Sequence, residues 1–228
     1  MFVIPVIDIR HGVVVRAVAG DRANYQPISS PLFDGCDPRA AIRGLMALHP
    51  FPVIYAADLD GIEGRGRNLE LVRAMAAQAP GATIWLDNGS GFMGVCDMLA
   101  DKRFWAVVGT ESITLVAYLR LLERFAKRTI LSLDFRQDAY LGSKQLLLNA
   151  ELWPDHVVVM TLGRVGTSQG PDLDRIAGIF KRARKGTKVF AAGGVRNGDD
   201  LRALAAMGVA GALVSTALHA QTITADDL

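Results

Sequence analysis

The chain has 228 residues, of which 50% are apolar and 21% are charged, a composition typical of a globular protein with one large buried core. Its 25 basic and 23 acidic residues give a net charge of +2 and are scattered, which excludes nucleic acid as an expected partner. Two cysteines without Cys-x-x-Cys spacing, no signal-like N-terminus and no apolar run of membrane-spanning length predict a cytoplasmic protein without a membrane partner. Residues 1–228 are expected to form one domain, and the sequence predicts no particular oligomeric state.

Eight short apolar runs follow one another along the chain and predict eight β-strands. They are apolar at nearly every position, as expected for strands that are buried on both faces of a parallel sheet. The runs cover residues 3–7, 53–57, 83–86, 105–108, 129–133, 157–161, 189–192 and 212–214.

The segments between these runs predict helices. Asn68 and Asp172 are placed to cap two of them, and amphipathic spacing predicts two more over residues 113–126 and 199–207. Gly208 is suited to end the last of these helices in a left-handed conformation. The long segment over residues 19–37 contains glycine and proline and is interpreted as a loop that can act as a lid.

Strands that alternate with helices eight times fit either a closed (β/α)₈ barrel or an open doubly wound sheet. An internal repeat favours the barrel, built from two duplicated half-barrels. The matching segments are residues 7–10 with 133–136, 60–64 with 165–170, 88–89 with 193–194, and 107–110 with 213–216.

Two aspartates close apolar strands in the two matching halves. Asp8 follows the first strand and Asp134 follows the fifth, so both are expected at the C-terminal mouth of the barrel, where such folds place their active sites. Paired carboxylates can divide the work of a general base and a general acid. The structural alternative, in which each aspartate only anchors a turn, stays open.

Glycine and threonine at the ends of several strands predict phosphate binding by backbone amides. The second-half candidates are Gly193, Gly194, Ser215 and Thr216, and the matching first-half candidates are Asn88, Gly89, Gly109 and Thr110. Asp87 weakens the first-half site because a carboxylate repels a phosphate. An isolated Gly-Gly pair is otherwise an ordinary tight turn.

Three arginines in or near the predicted mouth loops are candidate substrate ligands: Arg16, Arg136 and Arg164. Loop arginines are more often simply solvated. The four histidines lack metal-ligand spacing, and the chain has no nucleotide-binding fingerprint, so neither a metal nor an organic cofactor is expected.

Almost the whole sequence resembles ProFAR isomerase of histidine biosynthesis. The similar blocks are residues 4–9, 12–16, 20–21, 58–64, 108–110, 193–195 and 217–218, together with Asn68. The resemblance implies an Amadori rearrangement, in which an acid opens a sugar ring to an iminium and a base removes the neighbouring C2 proton. It also implies that Asp8 is the base, Asp134 the carboxylate after strand 5, Thr161 a polar partner, and Gly194 and Thr216 phosphate contacts.

Two departures from the family pattern indicate a diverged member. Val165 stands where the family has an aspartate that is implicated as an acid, and residues 87–91 lack the arginine of the family's glycine-rich turn. The expected ligand is a phosphorylated small molecule, and an intramolecular aldose–ketose isomerase is the leading hypothesis. The alternatives are an enzyme of another pathway, such as one-carbon coenzyme (tetrahydromethanopterin) biosynthesis, and a protein that binds a phosphorylated ligand without catalysis.

Overall fold

The computed structural model describes residues 1–89 and 92–228, apart from the side chains of residues 92 and 93. Eight parallel strands form a closed barrel, as the repeat predicts. The barrel strands are β1 (Phe2–Arg10), β4 (Val53–Asp58), β5 (Thr83–Asp87), β6 (Phe104–Gly109), β7 (Thr129–Arg136), β9 (His156–Thr161), β10 (Lys188–Ala192) and β11 (Gly211–Val214). Their order around the barrel is β1-β4-β5-β6-β7-β9-β10-β11, and β11 pairs with β1 to close the barrel.

Helices connect most of these strands on the outside of the barrel. They are α1 (Pro38–Leu48), α2 (Leu59–Ile62), α3 (Leu69–Ala76), α4 (Phe92–Leu99), α5 (Leu115–Phe125), α6 (Lys144–Leu148), α7 (Leu173–Phe180), α8 (Gly198–Ala206) and α9 (Thr216–His219). Three short strands extend loops at the mouth: β2 (Val13–Arg16), β3 (Gln26–Pro27) and β8 (Ala139–Leu141). None of the described helices is long and apolar enough to cross a membrane.

Each barrel strand buries both of its faces, which explains the unbroken apolar runs in the sequence. Side chains that point inward form an inner core, and those that point outward pack under the helices. On β9, for example, Val158 and Met160 belong to the inner set, whereas Val157 and Val159 belong to the outer set. This alternation decides which residues at each strand end can reach the mouth.

Helix starts agree with the predicted caps at one position and differ at another. The Asp172 carboxylate accepts a hydrogen bond from the Arg175 amide at the start of α7, as predicted. Asn68 precedes α3, but its side chain does not cap that helix. It instead donates to the carboxylates of Asp58 at 2.8 Å and Asp60 at 2.9 Å, because these buried acids need donors more than the helix end does. The predicted helix start is therefore confirmed, whereas the predicted side-chain cap is wrong.

The segment that follows β2 crosses the mouth of the barrel. Residues 17–27, called the mouth segment below, include a 3₁₀ turn over Arg22–Asn24 and then β3, which pairs with β2. The segment is fixed to the loop after β9, since the Ala19 amide donates to the Val165 carbonyl at 2.8 Å. The mouth segment thus covers the strand ends, which the sequence indicated only by a long loop rich in glycine and proline.

Candidate active site

Three aspartates lie on the inner face of the barrel at its C-terminal mouth. Asp8 and Asp87 both pair in register with Ala57 of β4, one from each side, so they stand in a single row of the sheet. Asp134 lies two residues beyond Ser132 on β7 and points to the same side. All three line one cavity, and each residue is at most 9% exposed.

Burial raises the pKa values of two of these carboxyl groups, Asp8 and Asp134, well above the usual value for aspartate. Desolvation raises the pKa of Asp8 to about 7, although the nearby Arg22 guanidinium opposes the shift and Asp87 adds to it. Desolvation likewise raises the pKa of Asp134 to about 8, against hydrogen bonds that favour the ionised form. Those bonds come from the Ser132 hydroxyl at 2.6 Å and the Glu111 amide at 3.0 Å. Near neutral pH the pair can therefore hold one proton for donation and one site for acceptance.

Asp87 is a third buried acid beside the pair. Its pKa is raised to about 6, first by desolvation, and its carboxylate accepts from the Gly89 amide at 3.2 Å and the Tyr55 hydroxyl at 3.4 Å. A Cβ on Gly109 would lie 2.9 Å from Oδ2 of Asp134 and 3.6 Å from Oδ2 of Asp87. Glycine at position 109 therefore leaves the space in which the two carboxylates approach each other.

Arg22 brings a positive charge from the mouth segment into this group of acids. Its guanidinium forms an ion pair with Glu111, which follows β6, and it lines the same cavity as Asp8. Its backbone carbonyl accepts a hydrogen bond from the Arg10 side chain. The cavity is thus covered by a segment whose position depends on charge pairing across the mouth.

Glycine-rich backbone forms the opposite side of the cavity. Gly193 and Gly194 have φ angles of +100° and +89°, and a Cβ on Gly194 would lie 2.2 Å from the Gly170 carbonyl oxygen. Their amides and that of Thr216 donate to no acceptor within the described residues. Ser215 and Thr216 line the cavity beside them. Unbonded amides next to a hydroxyl make a suitable phosphate site at the predicted second-half position.

The matching groups of the first half are already bonded inside the protein. The Gly89 amide donates to Asp87, and the Thr110 amide donates to the Ser132 carbonyl at 3.0 Å. The Thr110 hydroxyl accepts from the Asp134 amide at 3.0 Å. The four predicted first-half residues, Asn88, Gly89, Gly109 and Thr110, are absent from the described lining of the main cavity. The remaining residues of that predicted turn, Ser90 and Gly91, lie outside the described residues.

A separate hollow lies behind Asp87 and contains two of these first-half residues. Gly89, Gly109, Ser112 and Thr114 line it together with the Asp87 side chain. A phosphate placed there would meet a carboxylate, which is the physical objection that the sequence already raised.

Thr161 is placed differently from what the resemblance implies. Side chains alternate along β9, and Met160 points into the barrel, so the side chain of Thr161 points outward. Thr161 is accordingly not among the described residues that line the cavity. Its carbonyl oxygen lies 2.5 Å from the position of a Cβ on Gly193. In this structure Thr161 therefore packs beneath the Gly193 turn instead of facing a ligand.

The three predicted substrate arginines occupy unequal positions. Arg164 donates to the carbonyls of Gly170 at 3.1 Å and Pro171 at 2.8 Å, so its guanidinium braces a loop. Arg136 is exposed near Gly20 of the mouth segment. Arg16 lines a shallow hollow together with Ser215 and Thr216. Of the three, Arg16 is best placed to meet a phosphate bound at the second-half glycines.

Several residues of the site carried no clear signal in the sequence. Ser132 could have been found from its i, i+2 spacing to Asp134, which puts both on one face of a strand. Arg22, Glu111 and Tyr55 meet only through the closure of the barrel and the path of the mouth segment. Within the described ranges, no three His, Cys, Asp or Glu side chains form a group that could hold a metal ion.

Fold and site together define a (β/α)₈ barrel with buried carboxyl groups at its mouth and, at the ends of β10 and β11, amides that donate to no acceptor within the described residues. The sequence profile of the family described as "Histidine biosynthesis protein" matches residues 2–224. The chain belongs to that family, and it is an isomerase-like barrel.

Individual relatives agree over nearly full length. The chain is 31% identical to a protein of Moorella thermoacetica, over 100% of this chain and 96% of the relative. It is 30% identical to a protein of Chloroflexus aggregans, over 98% of this chain and 94% of the relative. Both are named 1-(5-phosphoribosyl)-5-((5-phosphoribosylamino)methylideneamino) imidazole-4-carboxamide isomerase, which is ProFAR isomerase. An uncharacterized protein of Methanocaldococcus jannaschii is 24% identical over 100% of this chain and 97% of the relative.

Proposed function

We propose that this barrel isomerises a phosphorylated sugar or ribotide by an Amadori rearrangement. The observation that carries the proposal is the pair of buried carboxylates, Asp8 and Asp134, which line one cavity from opposite half-barrels. The isomerase names of the relatives support the same reaction class.

The two carboxyls take different parts in this reaction. Asp134, with a pKa of about 8, is mostly protonated near pH 7 and gives its proton to the ring oxygen as the C1–O bond breaks and a C1=N iminium forms. Asp8, with a pKa of about 7, is partly ionised and takes the proton from C2. The C2–H electron pair becomes the C1=C2 bond, and the C1=N π pair returns to the nitrogen as a lone pair and neutralises it. The resulting enolamine then tautomerises to the aminoketose.

The second half of the barrel supplies the phosphate anchor. The Gly193, Gly194 and Thr216 amides donate to no acceptor in the described chain, and they adjoin the cavity that holds the two carboxylates. A phosphate held there fixes the sugar by its unreactive end, so that C1 and C2 stay between Asp8 and Asp134.

Turnover of the relatives' substrate tests this proposal. We expect the purified chain to convert ProFAR to its aminoketose, detected by NMR, and Asp8→Asn and Asp134→Asn each to lower kcat about 100-fold or more. Asp138→Asn is the matched control, because Asp138 is fully exposed and lies outside the cavity lining. Full activity in either site variant would contradict the assigned roles.

Val165 favours a second candidate, a barrel that binds a phosphorylated ligand without catalysis. It lines the cavity where the family pattern has an acid, and valine has no proton to donate. The wild-type gene should restore growth of a histidine auxotroph that lacks the isomerase, and Asp8→Asn should not. Ligand-induced stabilisation without turnover or rescue would favour the binding role.

A further inference from the structure

Tyr25 reaches the main cavity from the mouth segment. It ends the 3₁₀ turn over Arg22–Asn24, and its ring packs against the inner core of the barrel. Tyr25 directly precedes β3, which pairs with β2, and β2 in turn pairs with β1 at Asp8. Tyr25 and Asp8 both line the cavity. Two successive strand pairings therefore bring this tyrosine close to the proposed base.

The hydroxyl group of Tyr25 is available as a hydrogen-bond donor. Desolvation, and next the charge of Asp8, raise the pKa of Tyr25 to about 12, whereas Arg22 opposes the shift. The phenol therefore keeps its proton in neutral and mildly basic solution. The hydroxyl forms no hydrogen bond within the described part of the chain, and it is not sealed from solvent. A ligand in the cavity can thus accept its proton in a hydrogen bond.

Asp8 and Tyr25 face the cavity without touching each other. A carboxylate and a phenol in contact would form a hydrogen bond, and none joins these two residues, although the charge of Asp8 acts on Tyr25. The two groups therefore border the same part of the cavity from two sides. A sugar carbon placed there can present its C–H bond to the carboxylate and its hydroxyl oxygen to the tyrosine.

The other hydroxyl groups of the described cavity lining are engaged elsewhere. Tyr55 donates to Asp87 at 3.4 Å. The remaining three lie at the proposed phosphate anchor or in the hollow that adjoins it, and they are Ser168, Ser215 and Thr216. Among the described residues, Tyr25 is thus the hydroxyl that is left for the reacting carbons of the sugar.

We infer that the Tyr25 hydroxyl donates a hydrogen bond to the C2 hydroxyl oxygen of the sugar, on the carbon that Asp8 deprotonates, and that Tyr25 thereby selects sugars with this hydroxyl. The inference rests on the proposed function for Asp8 as the base and for the phosphate anchor. The C2 oxygen accepts a hydrogen bond both as a hydroxyl in the aldose and as a carbonyl in the aminoketose. No proton leaves Tyr25, so the residue acts on binding and specificity rather than on proton transfer.

Calorimetric titration with ribose 5-phosphate and 2-deoxyribose 5-phosphate tests this contact. We expect the wild type to bind ribose 5-phosphate about five- to tenfold more tightly, because the deoxy sugar lacks the oxygen that accepts from Tyr25. Tyr25→Phe keeps the ring and removes only the hydroxyl. This variant should bind the two sugars equally well, with its affinity for ribose 5-phosphate lowered to that for the deoxy sugar.

Tyr118→Phe is the matched control. Tyr118 lies on α5 in the outer core, outside the described cavity lining, and its hydroxyl donates to the Leu152 carbonyl at 2.7 Å. Loss of that hydroxyl can lower stability but should keep the preference for ribose 5-phosphate. The comparison of the two sugars in the wild type depends on no variant. Equal affinities there, or a preference that survives in folded Tyr25→Phe, would overturn the inference.

Kinetics with ProFAR separate this inference from the proposed function. Tyr25→Phe should raise KM about five- to tenfold and lower kcat about twofold at most, since the hydroxyl binds the ground state and the transition state alike. Turnover by a wild type that does not distinguish the two sugars would overturn the inference and leave the isomerase standing. A preference that disappears in Tyr25→Phe, without turnover by the wild type, would support the Tyr25 contact and count against the isomerase. No binding of either sugar phosphate would remove the shared anchor and overturn both.

Discussion

Arg22 sets the balance of charge among the acids that surround it. Its guanidinium pairs with Glu111 and opposes the desolvation that raises the pKa of Asp8. Arg22→Gln removes this support for the ionised form, so the pKa of Asp8 should rise further. If Asp8 is the base, the acidic limb of kcat/KM should move to higher pH by about one unit, which a pH–rate profile measures.

Arg136→Gln is the control for that shift. Arg136 is also an arginine at the mouth, but it is exposed and lies outside the described cavity lining. Its loss should leave the acidic limb in place. An equal shift in both variants would mean that long-range charge, and not the position of Arg22, controls Asp8.

At single positions, the sequence identified residues that end strands and missed residues that approach from elsewhere. Asp8 and Asp134 were predictable because each follows an apolar run and the two runs repeat. Arg22 was not, because only the folded path of the mouth segment brings it to Glu111. Thr161 shows a further limit of prediction from sequence. A difference of one residue along a strand decides whether a side chain faces the cavity or the outer side of the barrel.

The mouth segment is held by close backbone contact with the loop after β9. A Cβ on Gly166 would lie 2.1 Å from the Ala17 carbonyl oxygen, and Gly166 has a φ of +67°. Gly166→Ala should therefore displace the segment and weaken ligand binding about tenfold or more, because Ala17 and Gly166 both line the cavity. Calorimetric titration with an alkyl phosphate measures the loss.

Gly64→Ala controls for backbone strain in that experiment. Gly64 has a nearly equal φ of +70°, and a Cβ there would meet no atom within 4 Å. Its substitution should cost about 1 kcal/mol of stability and leave affinity unchanged. Equal losses of affinity in the two variants would show that strain, not contact with the mouth segment, explains the Gly166 result.

Secondary structure was largely predictable because burial on both faces marks the barrel strands. The structure confirms all eight strands within a few residues, and α7 begins at the predicted Asp172 cap. The short strands β2, β3 and β8 escaped prediction because they pair locally at the mouth. Asn68 was misjudged because two buried acids compete with the helix for its side chain.

In the whole barrel, buried carboxyl groups lie together at the C-terminal mouth, and apolar side chains fill the interior below them. Inner residues such as Ile130, Val158 and Phe190 fill the barrel, so the mouth acids stand on a dry core with little access to water. This arrangement raises the pKa values of the acids and costs stability whenever they ionise. Closure of the barrel followed from the sequence repeat, whereas the depth of this desolvation required coordinates.

Stability should therefore fall as the solution becomes more basic. Asp8 and Asp134 hold protons in the folded state up to pKa values of about 7 and 8, whereas the unfolded chain has lost them well below pH 6. The folded state then binds more protons, so the free energy of unfolding should decrease by about 2 kcal/mol between pH 6.5 and 8.5. Urea unfolding at several pH values measures this slope.

The choice of window and variants makes this test specific. Buried His219, whose pKa is lowered to about 4, gives the opposite slope, but only below about pH 6.5, where an unfolded histidine takes up its proton. Asp134→Asn removes the larger contribution, so it should flatten the slope and raise stability at pH 8.5. Exposed Asp138→Asn should leave the slope unchanged. A slope that is flat in the wild type, or equally steep in Asp134→Asn, would show that these acids already ionise freely in the folded protein.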